Sequence, residues 1–275
     1  MGEIDRFFAP SAYEDEVNTS FFRVYFDINK TKSEDMTTEL NFKFQAKFPA
    51  LSKNAKVIVK QEGEDSNTSL LEGQNATSQN STAQSPVVTA QQAQPEGYSA
   101  AVRKFITESA KINFSYDLGI KMNVPLDPFA KIRFRRSWDW EKFSIYYIQN
   151  NEYFRIDRLF NESSLYFEYK FNELNKVQLR NSFYWAHVSD AENVNHNLNF
   201  YHSITDTIAI AWNMSANSVI ENGVFYYNSY GLSTGYRSLL FKDWFFGEIA
   251  LGTNFDKTSE FKSKEFVTFR IDMIF

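Results

Sequence analysis

Apolar residues recur at every second position through most of this chain, and no other feature limits its fold as much. Between 39 and 48, Leu40, Phe42, Phe44, Ala46 and Phe48 alternate with Asn41, Lys43, Gln45 and Lys47. Between 111 and 122, Ile112, Phe114, Tyr116, Leu118, Ile120 and Met122 alternate with Asn113, Ser115, Asp117, Gly119 and Lys121. Leu165, Phe167, Tyr169 and Phe171 repeat the pattern, as do Val177, Leu179, Phe183 and Trp185, whose face is interrupted by Asn181. A period of two is the signature of strands with one apolar and one polar face. No run approaches the ~18 to 20 consecutive apolar residues that a membrane-spanning helix needs.

Such strands also build soluble sandwiches and lipocalin-like barrels, so composition has to help decide. The 275 residues include 28 Phe, 15 Tyr and 5 Trp. Mean hydropathy is nevertheless only -0.44. A transmembrane barrel reconciles the two, because each strand places only alternate side chains in lipid. The net charge of -5 and pI near 5.4 give no basic footprint for nucleic acid. With no cysteine, disulfides, thiol chemistry and Cys-based metal sites are excluded. No phosphate-cradling Gly-rich loop, dinucleotide fingerprint or zinc-binding pair is present, so no cofactor is expected.

The final strand favours the membrane. Val267, Phe269, Ile271, Met273 and Phe275 share one face, while Thr268, Arg270 and Asp272 share the other. An amphipathic last strand ending in Phe resembles the C-terminal signature of bacterial outer-membrane proteins. That resemblance implies recognition of 265–275 by the barrel-assembly machinery. The start, Met1-Gly2-Glu3-Ile4-Asp5-Arg6, lacks the apolar core of a secretory signal. An outer-membrane protein needs one, so Met1 is read as standing in place of it.

Counting back from Phe275 gives strands at 264–275, 244–255, 224–240, 207–216, 193–202, 176–187, 164–171, 142–157, 129–137, 111–122, 98–107, 54–62, 37–48 and 20–29. The expected fold is therefore all-β: an antiparallel up-and-down transmembrane barrel of about 14 strands, within a range of roughly 12 to 16. An even number leaves both ends in the periplasm. Short turns at 172–175, 204–206 and 242–243 then fall on that side. Longer connections at 188–192, 217–223, 256–263 and 63–97 fall outside. Residues 1–19 form a periplasmic extension, and 20–275 the barrel. The segment 63–97 is rich in Ser, Thr, Asn, Gln and Ala, and is read as a low-complexity extracellular loop.

Two stretches carry a closer resemblance: Pro125 to Arg136 (PLDPFAKIRFRR) and Tyr236 to Phe246 (YRSLLFKDWFF). They are similar to a family of proteobacterial outer-membrane β-barrels with no assigned activity. The likeness spans roughly 21–275 outside the low-complexity insert. It implies a fold and no functional residues.

Function must then be read from the face opposite the lipid. That face carries Arg23, Lys43, Lys47, Lys121, Lys131, Arg133, Arg135, Arg155, Lys170, Arg180, Arg237 and Arg270. Against them stand Asp27, Asp117, Asp157, Glu168, Glu248 and Asp272. Lys131, Arg133 and Arg135 alternate with Ala130, Ile132 and Phe134. Three cations facing mid-bilayer would cost about 2 to 4 kcal/mol each, so they are expected to point inward. Such a ladder favours small anionic solutes in a pore. A closed scaffold barrel filled by salt bridges, anchoring an envelope assembly, is the alternative. A third reading is hydrolytic: His187-Val188-Ser189 has the His-x-Ser spacing of outer-membrane phospholipase A, with Asn193 and Asn195 placed to orient the imidazole. Its surroundings differ, with Ala186 before the His and Asp190-Ala191 after the Ser. His196 and His202 lie six residues apart, about 20 Å along a strand, and hold no common metal.

Overall fold

The computed structural model describes residues 20–47, 55–61 and 98–275, apart from 110, 123, 157, 188–190 and 222. The extension at 1–19 and the loop at 63–97 lie outside the described residues. Fourteen strands follow one another: β1 (Phe21–Thr31), β2 (Thr37–Lys47), β3 (Ala55–Gln61), β4 (Tyr98–Glu108), β5 (Ile112–Lys121), β6 (Asp127–Asp139) and β7 (Phe143–Phe154). The second half runs through β8 (Arg158–Lys170), β9 (Asn175–Ala186), β10 (Ala191–Thr205), β11 (Ile208–Glu221), β12 (Val224–Phe241), β13 (Phe245–Asp256) and β14 (Ser263–Ile274). Each pairs with its neighbours in sequence, and β14 closes on β1 to complete an antiparallel barrel.

The barrel is inverted relative to a soluble protein. Among the described residues, 36 buried side chains are polar or charged against 17 that are apolar. Leu40, Val102, Leu118, Ile132, Met214, Leu232 and Leu251 are exposed instead, on the outer strand faces. Water would penalise such a surface, whereas hydrocarbon accepts it. A closed barrel also leaves no sheet edge unpaired. The chain is a membrane-spanning barrel of the outer-membrane type.

Rings cluster where β1 begins and β14 ends. Phe275 stacks on Trp244 at 4.8 Å and on Phe22 at 6.4 Å, and Phe22 meets Phe44 at 6.5 Å. Further round the same rim, Phe171, Phe200 and Trp212 follow one another at 6.3 and 5.6 Å. Trp185, Trp212, Tyr236, Trp244 and Phe275 are all absent from the buried side chains. The last residue is also held by its backbone: Phe275 N–H donates to the Phe22 carbonyl at 2.8 Å.

Two strand limits differ from expectation. Residues 217–221, expected as a loop, continue β11. The register shifts between Asn217 and Ser218 at an extra residue on β12, and Asn217, Ser218 and Val219 are buried in succession, so alternation is lost at this end of β11. Gly223, at φ 76°, leads into β12. β8 begins at Arg158 rather than 164, and the chain turns at 155–156 instead of continuing as strand. Asn161, Glu162, Ser163 and Ser164 are polar on both faces, so they carry no period. Arg155, expected inside, is exposed in that turn. Asp157 lies outside the described residues.

Candidate lumen wall

Inward residues divide into arcs of different chemistry. The first joins β12, β13, β14 and β1. Arg23 forks onto Asp272, Nε to Oδ1 and Nη2 to Oδ2, both at 2.8 Å. In the opposite sense Arg270 forks onto Asp27 at 2.6 and 2.7 Å. Each of the two closing strands thus gives one arginine to the other and receives one. Arg237 Nη1 reaches Glu248 at 2.7 Å and Nη2 reaches Asp272 at 3.3 Å. Across the strands, Arg237, Glu248, Arg270 and Asp27 stand opposite one another as a row of alternating sign. The Tyr25 ring sits beneath the guanidiniums of Arg270 and Arg23, at 4.4 and 5.4 Å. Planar cations stacked and doubly hydrogen-bonded in this way are geometrically fixed.

A second alternating row crosses β4 to β7 through Arg103, Asp117, Lys131 and Glu152. Arg103 forks onto Asp117 with both distances at 2.8 Å, and Lys131 meets Glu152 at 2.5 Å. The ladder of Lys131, Arg133 and Arg135 is therefore placed inward at its two ends, with Lys131 and Arg135 buried and Arg133 half-buried. Asp117 is not the partner of that ladder through any bond described; it is engaged by Arg103, which sequence reading had not singled out.

β8 and β9 continue the ionic wall more loosely. Glu168 receives Lys176 and Gln178 at 3.4 Å each. Arg180 approaches Glu162 at 3.4 Å and the Tyr184 hydroxyl at 3.3 Å, and covers the Tyr166 ring at 5.3 Å.

β10 and β11 are different again. Asn193, Asn195, Asn197 and Asn199 occupy alternate buried positions on β10, facing Asn213, Ser215 and Asn217 on β11. Asn213 donates to Asn199 at 2.6 Å, and Asn217 donates to Asn195. None of the buried residues of these two strands is charged.

One arc opposes like charges. Arg23, Lys43 and Lys60 stand directly opposite one another on β1, β2 and β3. Lys47, Lys56 and Arg103 do the same on β2, β3 and β4. Over all described residues, ten buried side chains are basic and six acidic, the basic group including Lys56, Arg103 and Lys176 beyond those expected. The alternation of Lys56, Ile58 and Lys60 with Val57 and Val59 carried that signal.

The hydrolytic reading gains no geometry. His187 is exposed, on the parity of the outward Trp185, whose ring it meets at 6.0 Å. Asn193 and Asn195 are buried on the inner face and cannot orient it. Ser189 lies outside the described residues. His196 and His202 are each bonded to an asparagine, Asn181 at 2.6 Å and Asn175 at 2.8 Å.

No protein-family model matches the chain, and no curated protein sequence does. Solved structures match over nearly its whole length. A loop-deletion form of OmpT, an outer membrane protein of Vibrio cholerae, has TM-score 0.54 at 7% identity, covering 93% of this chain and 98% of that one. OmpT of Vibrio cholerae expressed in the outer membrane gives 0.52 at 6% identity, with 93% and 97% covered. The outer membrane channel DcaP of Acinetobacter baumannii gives 0.49 at 10% identity, with 94% and 96% covered. At such identities the likeness concerns the barrel fold.

Proposed function

We propose that this chain is an outer-membrane pore whose inner wall favours anionic solutes. The observation that carries the reading is the like-charged arc of β1 to β4. Cations directly opposite each other on paired strands add to one another's field, even where Arg23 and Arg103 are forked onto Asp272 and Asp117. They become useful when an anion passes between them, because a low-dielectric wall concentrates their field. The basic ladder of β6 faces the same interior and adds to that field. Residues 265–275 would serve as the strand read by the assembly machinery.

Reversal potential in planar bilayers under a salt gradient tests this reading. The wild-type barrel is expected to prefer chloride over potassium. Combining Lys43→Glu with Lys60→Glu, or Arg133→Glu with Arg135→Glu, should abolish or reverse that preference. A conducting protein whose reversal potential ignores both pairs of substitutions would refute the anion preference. The reciprocal Arg–Asp forks favour a second reading, a closed scaffold barrel braced by paired charges. Failure of the purified wild type to conduct at all would establish it instead.

A further inference from the structure

The outer face of the barrel carries, on β7 to β10, a polar group that hydrocarbon cannot satisfy. Gln149 and Asn151 on β7, Asn161 and Ser163 on β8, Asn181 on β9 and His196 on β10 share the parity of exposed neighbours. Tyr153, Leu159, Leu179 and Leu198 are those neighbours, and all point away from the interior. Each of the six lies three or more residues inside both ends of its strand. Register brings them together: Gln149 stands opposite Ser163, Asn151 opposite Asn161, and Asn181 opposite His196. The group spans four adjacent strands, ~15 Å across at ordinary strand spacing.

Pairing within the group is incomplete. Ser163 Oγ donates to Gln149 Oε1 at 2.7 Å, and Asn161 Nδ2 donates to Asn151 Oδ1 at 2.6 Å. His196 Nδ1 donates to Asn181 Oδ1 at 2.6 Å, which leaves Nε2 as a bare acceptor. Among the described residues, the side-chain amide nitrogens of Gln149, Asn151 and Asn181 then have no acceptor. Asn161 Oδ1 and His196 Nε2 have no donor. In hydrocarbon each such group loses its hydrogen bonds to water without replacement.

We propose that this face binds a second copy of the same chain. The covering partner must present both donors and acceptors, uncharged, at the same depth in the bilayer. Lipid tails offer neither, and headgroups at the strand ends lie away from Gln149, Ser163, Asn181 and His196, each five or more residues inside its strand. A charged partner is not called for, since none of the six residues carries a formal charge. A copy related by a two-fold axis along the membrane normal presents the same three amide donors and two acceptors at the same depth. Amide and hydroxyl contacts between barrels then act as they do between membrane helices.

The chain has no cysteine, so one introduced thiol reports contact cleanly. Full-length Ser163→Cys barrel, folded into nanodiscs or vesicles, should form a disulfide-linked dimer on mild oxidation. Native mass spectrometry of the wild type should show dimer. Combining Gln149→Leu, Asn161→Leu, Asn181→Leu and His196→Leu should weaken dimerisation about tenfold or more. Thr234→Leu with Ser238→Leu, on the outer face of β12, should leave it unchanged. A monomeric wild type whose Ser163→Cys form does not cross-link would overturn the proposal. So would a quadruple variant that folds and dimerises as the wild type does. If that variant does not fold, the single cysteine still decides.

Discussion

The closing strands β14 and β1 and the hairpin β10–β11 present buried polar side chains to the same interior, yet they use opposite chemistry. The seam is ionic and forked; the hairpin wall is neutral amide. Connectivity explains the contrast. Only Asp206 and Thr207 separate β10 from β11, so a short turn already fixes which residues face each other. The seam partners lie 249 and 243 residues apart, and no turn sets their register. Directional charge pairs supply it instead. A two-residue slip in one direction would bring Asp27 opposite Asp272 and lose the fork to Arg270. Strong polar contacts are concentrated where the chain gives the least help.

The largest effect expected from this comparison is at the seam. Arg270→Asp leaves Asp27 without its partner and adds an acid near Asp272 and Glu248. Breaking a buried pair on one side should cost about 3 to 5 kcal/mol, measured by urea unfolding in detergent or lipid. Adding Asp27→Arg to it restores opposite charges and should recover most of that loss. If the double variant is no more stable than the single, the seam is not held by that pair.

Smaller losses are expected on the amide wall. Asn199→Ala removes one neutral hydrogen bond from Asn213 and should cost about 1 kcal/mol. Since it changes no charge, reversal potential should stay where the wild type has it. A loss comparable to that of Arg270→Asp would mean that amides set register too, and the contrast between the two regions would fail.

Much of the seam was legible in the chain before any coordinates. Alternation in the last strand put Arg270 and Asp272 on the inner face, and parity did the same for Arg237 and Glu248. Their partners were not legible, because register across the closure joins residues at opposite ends of the sequence. The pairing of Lys131 with Glu152 was hidden for a related reason: Asp117 is an equally close neighbour, and only geometry assigns it to Arg103. At Asn161 and Ser163 alternation was absent because both faces are polar, and the strand start was misplaced there. From Asn217 three successive buried residues erased it. Both failures mark places where the barrel departs from one apolar and one polar face.

A further effect, smaller than that at the seam, lies outside the interior, at the aromatic rim beside it. Trp244 stacks on Phe275 at 4.8 Å and touches Phe241 and Phe245 at 6.0 and 5.6 Å. Phe275 in turn stacks on Phe22 of β1, so the rings bridge the closure from the lipid side while the arginine forks bridge it from within. The two contributions differ in kind. Ring stacking is short-ranged and adds about 0.5 to 1.5 kcal/mol per pair beyond area, whereas a broken fork leaves a stranded buried charge. Trp244→Ala should therefore lower stability by less than Arg270→Asp and should leave the reversal potential unchanged. The seam forks remain intact in that variant, so its effect and that of Arg270→Asp should add when combined. An excess loss of more than about 0.5 kcal/mol in the combined variant would show that rim and forks hold the closure as one unit.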